Sequence, residues 1–248
     1  MQVHLKPLSW YVDKLERGEP FSSPLYGDGE FIVARGRSIG RTMQNGEIIT
    51  SQLVDEMRKS MLIDDPNYLR GTDPNLINWR DYQGGDWEEF QRYCRQIEEY
   101  LASLGREFDW YDGVVWEYAC RDGNLAPLFK ALNKRKVFLV GNPRLQDFTV
   151  LQLEGFHPVP ERNACSAIDE IEELVVREPN MVYIFCMGLG AVPLISRLHG
   201  KIPNATLLDC GSVFDVFVGL GESRGWRAEV YANPERLKDL IARNTEGV

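Results

Sequence analysis

The sequence lacks an apolar run of transmembrane length, and its opening stretch, MQVHLKPLSWYVDKLERG, is charged throughout, unlike a secretory leader. It lacks paired cysteines too. Cys94, Cys120, Cys165, Cys186 and Cys210 are odd in number, widely spaced and free of any C-x-x-C, which suits reduced thiols. The expectation is a soluble, cytoplasmic protein with no membrane span, with Cys186 and Cys210 buried in strands. Histidine is scarce: His4, His157 and His199 show no ligand spacing, which argues against zinc. No G-x-S-x-G marks a hydrolase elbow and no G-x-x-x-x-G-K marks a P-loop. Positive charge is also short. A net charge of -9 argues against a surface broadly adapted to nucleic-acid phosphates, although RGRSIGR (35–41) and NKRKVF (133–138) are local basic clusters suited to single phosphates.

What is present is an ordinary globular composition, 44% hydrophobic and 11% aromatic, on a chain of 248 residues long enough to bury a large core. No repeat or long linker divides it, so one unit over residues 1–248 is expected, with a helix-rich part (1–135) and an α/β part (136–248). In the first part, SWYVDKLERGE places Trp10, Val12 and Leu15 at roughly helical spacing with Ser9 as cap. SQLVDEMRKSMLI reads as a second helix. GDWEEFQRYCRQIEEYLASLG reads as a third, opened by Asp86 and closed by Gly105. Between the last two, residues 64–86 carry Asp-Pro pairs and turn residues and read as an ordered loop with a lid or acceptor-binding role.

The second part changes character. RKVFLVGNP, NMVYIFCMGLG and ATLLDCGS are continuous apolar runs ending near glycine, separated by helical stretches, which predicts a Rossmann-like, mainly parallel sheet flanked by helices. Ligands of such sheets bind beyond the carboxyl ends of the strands. The loops GNPR (141–144), GLGA (188–191) and DCGS (209–212) should therefore share one edge.

Gly188 and Gly190 fit a strand-to-helix turn where backbone N–H groups approach a phosphate, or a tight turn that binds nothing. GLGAVP has Pro193 where a dinucleotide fingerprint needs its third glycine, which disfavours a nicotinamide or flavin site. Asp209, with Gly211 and Ser212 behind it and Asp215 beyond, offers a carboxylate for a sugar hydroxyl, a metal or a proton; Asp209 and Ser212 equally suit helix caps. In FSSPLYGDGEF (21–31), Asp28 and Glu30 stand one apart between Gly27 and Gly29. A simple turn explains this; so does a Mn²⁺ or Mg²⁺ site, since these ions need only one or two carboxylates plus substrate phosphates, and an extended segment would aim both side chains to one side.

PFSSPLYGDGEF resembles the R-F/Y-G-D-G-E segment of the GT-D type glycosyltransferases, a former domain of unknown function. MVYIFCMGLGAVPLISRLHGKIPNATLLDCGSVFDVFVG resembles that family's closing segment. The resemblance implies a Rossmann-like fold and a metal-dependent transfer of sugar from a nucleotide-sugar donor, typically UDP-glucose, to a hydroxyl acceptor. It puts the D-x-E metal motif on Asp28 and Glu30. The donor-binding glycines would be Gly27, Gly29, Gly188, Gly190 and Gly211 with Ser212, and the candidate catalytic carboxylates Asp209 and Asp215. The acceptor would be a glycan or glycosylated protein, with a modified nucleobase disfavoured by the acidic balance. One departure is visible: the family's arginine before the aromatic is Leu25 here. The rival readings are a protein that binds or hydrolyses nucleotides or nucleotide sugars without an acceptor, and a noncatalytic interaction module in which GDGE is only a turn.

Overall fold

The computed structural model describes residues 2–43, 46–82, 87–175, 178–220 and 225–248. In chain order the elements are β1 (Gln2–His4), α1 (Leu8–Arg17), β2 (Ser22–Ser23), β3 (Leu25–Tyr26), α2 (Asp28–Ala34), α3 (Ser51–Met61), β4 (Gly71–Thr72), α4 (Pro74–Ile77), α5 (Trp87–Ser103), β5 (Asp109–Asp112), α6 (Val115–Asp122), α7 (Ala126–Leu132), β6 (Val137–Gly141), β7 (Leu153–Pro158), α8 (Ile168–Leu174), β8 (Val182–Cys186), α9 (Ala191–Leu198), β9 (Thr206–Asp209), α10 (Gly225–Tyr231) and α11 (Pro234–Asn244).

All strand pairings within the two sheets are parallel. One sheet runs β2-β9-β8-β6-β7 and the other β1-β5-β4-β3. The Rossmann-like α/β class expected from the sequence is therefore the observed one. The two sheets meet on a single stretch of chain, Ser22 to Tyr26, interrupted by Pro24, which has no N–H to donate. Along one side that stretch keeps an unbroken ladder: the Ser22 N–H reaches the Asn67 carbonyl at 2.8 Å, Leu69 reaches Ser22 at 2.7 Å, and Gly71 reaches Pro24 at 2.8 Å. Along the other side it pairs with β9 only as far as Ser23 opposite Leu208. Beyond that point the chain turns away to start the second sheet.

The continuous apolar runs arise because both faces of the five-stranded sheet are covered. On β8, Val182, Ile184 and Cys186 join the core that packs α1, α6 and α7, while Tyr183 and Phe185 join the opposite core with α8 and α9. A third core gathers Phe31, Met57, Ile97 and Trp110 from α2, α3, α5 and β5. Cys186 ends β8 and Cys210 follows β9, both buried.

Several local expectations need correction. Ser9 lies inside the first turn of α1, whose cap position is Pro7. Asp86 lies outside the described residues. Residues 64–86 are more than a loop, since their described part contains β4, α4 and a 3-10 turn at Trp79–Asp81. The first half is helix-rich as expected, but it also supplies a whole parallel sheet, whose strands of two to four residues are too short to leave a pattern. An edge strand, β7, also went without a signal: its outer pairing is absent among the described residues, and Gly155 is required because a Cβ there would lie 2.6 Å from the Phe138 ring.

Candidate active site

Parallel strands deliver their carboxyl ends to one edge, and four of them, β9 of one sheet and β3, β4 and β5 of the other, carry a carboxylate at or just past that end. Asp209 closes β9, Asp28 follows β3 by two residues, Asp73 follows β4, and Asp112 closes β5. The halves of the chain part company between β9 and the Ser22–Tyr26 stretch, the kind of switch point where open α/β sheets bind ligands.

Asp28 and Glu30 are not in an extended segment. Gly27 is the extended residue, with φ of -89° and ψ of -166°, and Asp28 is the first residue of α2. On a helix, positions i and i+2 stand about 200° apart, so the two side chains diverge. Glu30 folds back instead: its Oε2 accepts the Gly27 N–H at 2.9 Å, as the third residue of a capping box does. A side chain at Gly27 would crowd that carboxylate, a Cβ coming within 3.1 Å of Oε2. Asp28 is exposed, and its carbonyl accepts the Tyr93 hydroxyl of α5 at 2.6 Å.

Asp209 is buried, with its two oxygens on separate backbone donors: Oδ1 accepts Gly211 N–H at 2.9 Å and Oδ2 accepts Leu25 N–H at 3.2 Å. Leu25 is the next residue whose N–H would face β9 after Ser23, so the side chain replaces a ladder bond that the turn at Pro24 removes. Burial, with the Glu30 charge as second cause, pushes the Asp209 carboxyl up to about 8. Glu30 and Asp209, 179 positions apart in sequence, thus feel one another across the switch point.

The glycine turns lie beside this pair. A Cβ on Gly29 would stand 3.1 Å from Leu189 Cδ2, so the D-x-E turn packs on the Gly188–Gly190 turn that opens α9. Gly188, exposed, has a φ of +57°, whereas Gly190 is buried against Met187 and Cys165. Gly211, with φ of +51°, carries the chain away from Asp209. Ser212 Oγ accepts from Arg227 Nη1 at 3.0 Å. Asp215 lies in a 3-10 segment, Val213–Val218, where its charge helps to raise the buried Cys186 thiol.

Sequence reasoning did not single out Asp73, Asp112, Glu117 or Arg227. Asp73 accepts from Asn75 N–H as the cap of α4, and burial, partly offset by Asn75 and reinforced by Asp28, raises its carboxyl. Asp112 is raised by burial first and by Asp73 among the lesser causes. Arg227 is fully buried, bonded through Nη2 to Glu117 at 3.0 Å, and Glu117 also accepts the Trp226 indole at 2.9 Å. The Asp-Pro of α4 and the Asp-Gly after β5 were the available signals for the two acids. Leu25 fills the space between the turns: a Cβ on Gly113 would lie 2.6 Å from its Cδ1, and one on Gly211 would lie 3.9 Å from its Cδ2.

Among the described residues no three or more His, Cys, Asp or Glu side chains are grouped to hold a metal ion by themselves. The exposed Asp28 with Glu30 behind it gives hard oxygen donors only. That set fits Mn²⁺ or Mg²⁺ where substrate phosphates and water complete the coordination.

Fold and edge together define a Rossmann-like protein with carboxylates gathered at the carboxyl ends of its strands. Three solved structures are similar over 93% of the chain. One, of domain of unknown function 1792, has a TM-score of 0.66 at 15% identity over 82% of its length. Another, described as having a distinct glycosyltransferase fold, has a TM-score of 0.65 at 16% identity over 82% of its length. The third, described as a new glycosyltransferase from Streptococcus sanguinis, has a TM-score of 0.63 at 17% identity over 85% of its length. The chain therefore has the fold of those proteins, in agreement with the GT-D resemblance of its motifs. No protein-family model and no curated protein matches it. Among the described residues no helix is long and apolar enough to cross a membrane.

Proposed function

We propose that the protein is a glycosyltransferase that moves a sugar from a nucleotide-sugar donor, UDP-glucose-like, to an acceptor hydroxyl. The observation that carries this reading is the Leu25 N–H bond to Asp209 Oδ2 at 3.2 Å, which ties the strand leading into the D-x-E turn to the carboxyl end of β9 in a fold shared with glycosyltransferase structures. The donor diphosphate would lie between that turn and the Gly188–Gly190 and Asp209–Ser212 loops.

Asp28 and Glu30 would hold Mn²⁺ or Mg²⁺, whose charge offsets the negative charge that grows on the leaving diphosphate. Glu30 reaches that position by giving up, or sharing through its second oxygen, its bond to Gly27. Asp209 and Asp215 are the carboxyls proposed for donor-sugar contact or for the acceptor proton. Asp209 has the stronger claim, since a carboxyl raised to about 8 can exchange a proton near neutrality and its two backbone donors fix its orientation. A glycan or glycosylated-protein hydroxyl is the proposed acceptor, and five free cysteines suit a cytoplasmic site of action.

The test is a thermal-shift screen of nucleotide sugars with and without Mn²⁺, because a ligand that binds only the native state raises its stability. Stabilisation by a UDP-sugar that requires the metal is expected. Asp28→Asn and Glu30→Gln should abolish metal-dependent sugar transfer with the fold intact, and full activity in both variants would overturn the proposal.

A further inference from the structure

We propose that the aromatic flank of α5 is a binding platform for a neutral saccharide, the acceptor of the transfer reaction; the assignment of this platform to the acceptor rests on the reading above. The chain leaves the carboxyl edge at Asp73, runs through α4 and the 3-10 turn Trp79–Asp81, and reaches Tyr82. The Tyr82 ring lies 4.5 Å from Phe90 and 6.2 Å from Trp87, nearly parallel to the latter at 19°. Trp87, Phe90 and Tyr93 follow at three-residue spacing on α5, a row rising about 9 Å along one flank of the helix. The row ends at the D-x-E turn, where the Tyr93 hydroxyl donates to the Asp28 carbonyl at 2.6 Å.

Phe90 and Tyr93 pack against the core between α2, α3 and α5, and all four aromatics are half-buried. Phe90 and Tyr93 are thus anchored by the core, Tyr82 packs on Phe90 and Trp87, and all four keep accessible surface. Aromatic rings of this kind offer an apolar body at low entropic cost, suited to the C–H face of a sugar ring. Charge selects among sugars. Beyond Asp28, which the proposed metal would engage, Asp73 and Asp112 stand on the neighbouring strand ends, so anionic ligands are disfavoured there whereas hydroxyl groups donate to carboxylates. Stacking surface beside acceptor-only oxygens is the chemistry of a neutral, hydroxyl-rich ring.

The experiment uses the full chain labelled with 5-fluorotryptophan, in which Trp87→Phe assigns the Trp87 resonance among six tryptophans. Neutral disaccharides of several linkages, a sialylated trisaccharide, glucose 6-phosphate and free nucleosides are titrated to millimolar concentrations. Neutral disaccharides are expected to move the Trp87 signal. Trp87→Ala, checked for an unchanged melting temperature, and Phe90→Leu should weaken binding about tenfold or more, while Trp87→Phe stays within about threefold of wild type. The proposal is overturned if no neutral saccharide moves that signal, if Trp87→Ala binds neutral saccharides as wild type does, or if charged sugars or nucleosides move the Trp87 signal at lower concentrations than neutral saccharides do. The thermal shift of the wild-type protein with UDP-sugar and Mn²⁺ reports the donor site separately. Failure there together with saccharide binding here would remove the transferase reading and leave a saccharide-binding platform.

Discussion

Asp209 completes with its side chain the hydrogen-bond ladder that the chain abandons at Pro24, taking the Leu25 N–H at 3.2 Å and the Gly211 N–H at 2.9 Å. Two part-buried backbone donors therefore depend on one buried carboxyl. Asp209→Ala leaves both without an acceptor, at about 1–3 kcal/mol for each. Urea denaturation should show a loss of about 2 kcal/mol or more, with a lower midpoint at unchanged slope. A midpoint equal to wild type would mean that the two sheets are held at this junction by something other than Asp209.

Glu30 has a structural and a proposed chemical task, and two substitutions separate them. Glutamine keeps an oxygen for the Gly27 N–H, so Glu30→Gln should melt within about 0.5 kcal/mol of wild type while losing the metal-dependent stabilisation by donor. Alanine removes both, and Glu30→Ala should cost about 1 kcal/mol in stability as other lost caps do. Equal melting temperatures for the two variants would remove the capping role.

The legible part of the fold was the part buried on both faces. β6, β8 and β9 announce themselves because Val137–Gly141, Val182–Cys186 and Thr206–Asp209 are apolar without alternation, and their loops fall on one edge because parallel strands share a direction. The second sheet stayed invisible because Gly71–Thr72 and Leu25–Tyr26 are dipeptide strands, fixed by long-range pairing rather than by local pattern. The candidate site divides in the same way. Asp28, Glu30 and Asp209 could be picked out by their neighbouring glycines, but their relationship could not, since it depends on a helix that starts at Asp28 and on a chain crossing at Pro24. Asp73 and Asp112 join the edge only through the order β3-β4-β5.

Gly113 sits where three chains converge. A Cβ there would lie 2.6 Å from Leu25 Cδ1, 2.7 Å from Thr72 N and 2.8 Å from Gly71 C. The side chain can move, but the backbone of β4 cannot move without disturbing its ladders. Gly113→Ala should therefore cost about 1–3 kcal/mol, and adding Leu25→Ala should restore little of it. Denaturation of the single and double variants checks this, and full rescue by Leu25→Ala would show that the β4 backbone yields.

The pair formed by Arg227 and Glu117 is asymmetric, since Arg227 is fully buried and the Glu117 side chain is 27% exposed. Removing either partner strands the other, and the cost depends on whether water reaches what remains. Glu117→Leu leaves a buried guanidinium unpaired and should cost about 3–5 kcal/mol. Arg227→Met leaves a carboxylate that water can reach and should cost less. Equal losses in paired denaturation curves would show that Glu117 is as desolvated as its partner.

At the opposite edge of the sheet, His199 bonds to Ser22 Oγ through Nδ1 at 2.9 Å, meets the edge of the Tyr68 ring, and has Asp65 Oδ2 3.5 Å from Nε2. Burial lowers its pKa, and Asp65 offsets this only in part. The unfolded chain, with an ordinary histidine near 6.5, then binds more protons than the folded one below that pH, so folding stability must fall as pH drops through and below about 6.5. His199→Gln removes the titration. The wild-type protein should lose stability between pH 7 and pH 5 by a margin that the variant lacks, read from melting temperatures in matched buffers. A wild-type protein that gains stability relative to His199→Gln over that interval would mean that Asp65, rather than burial, dominates the imidazole.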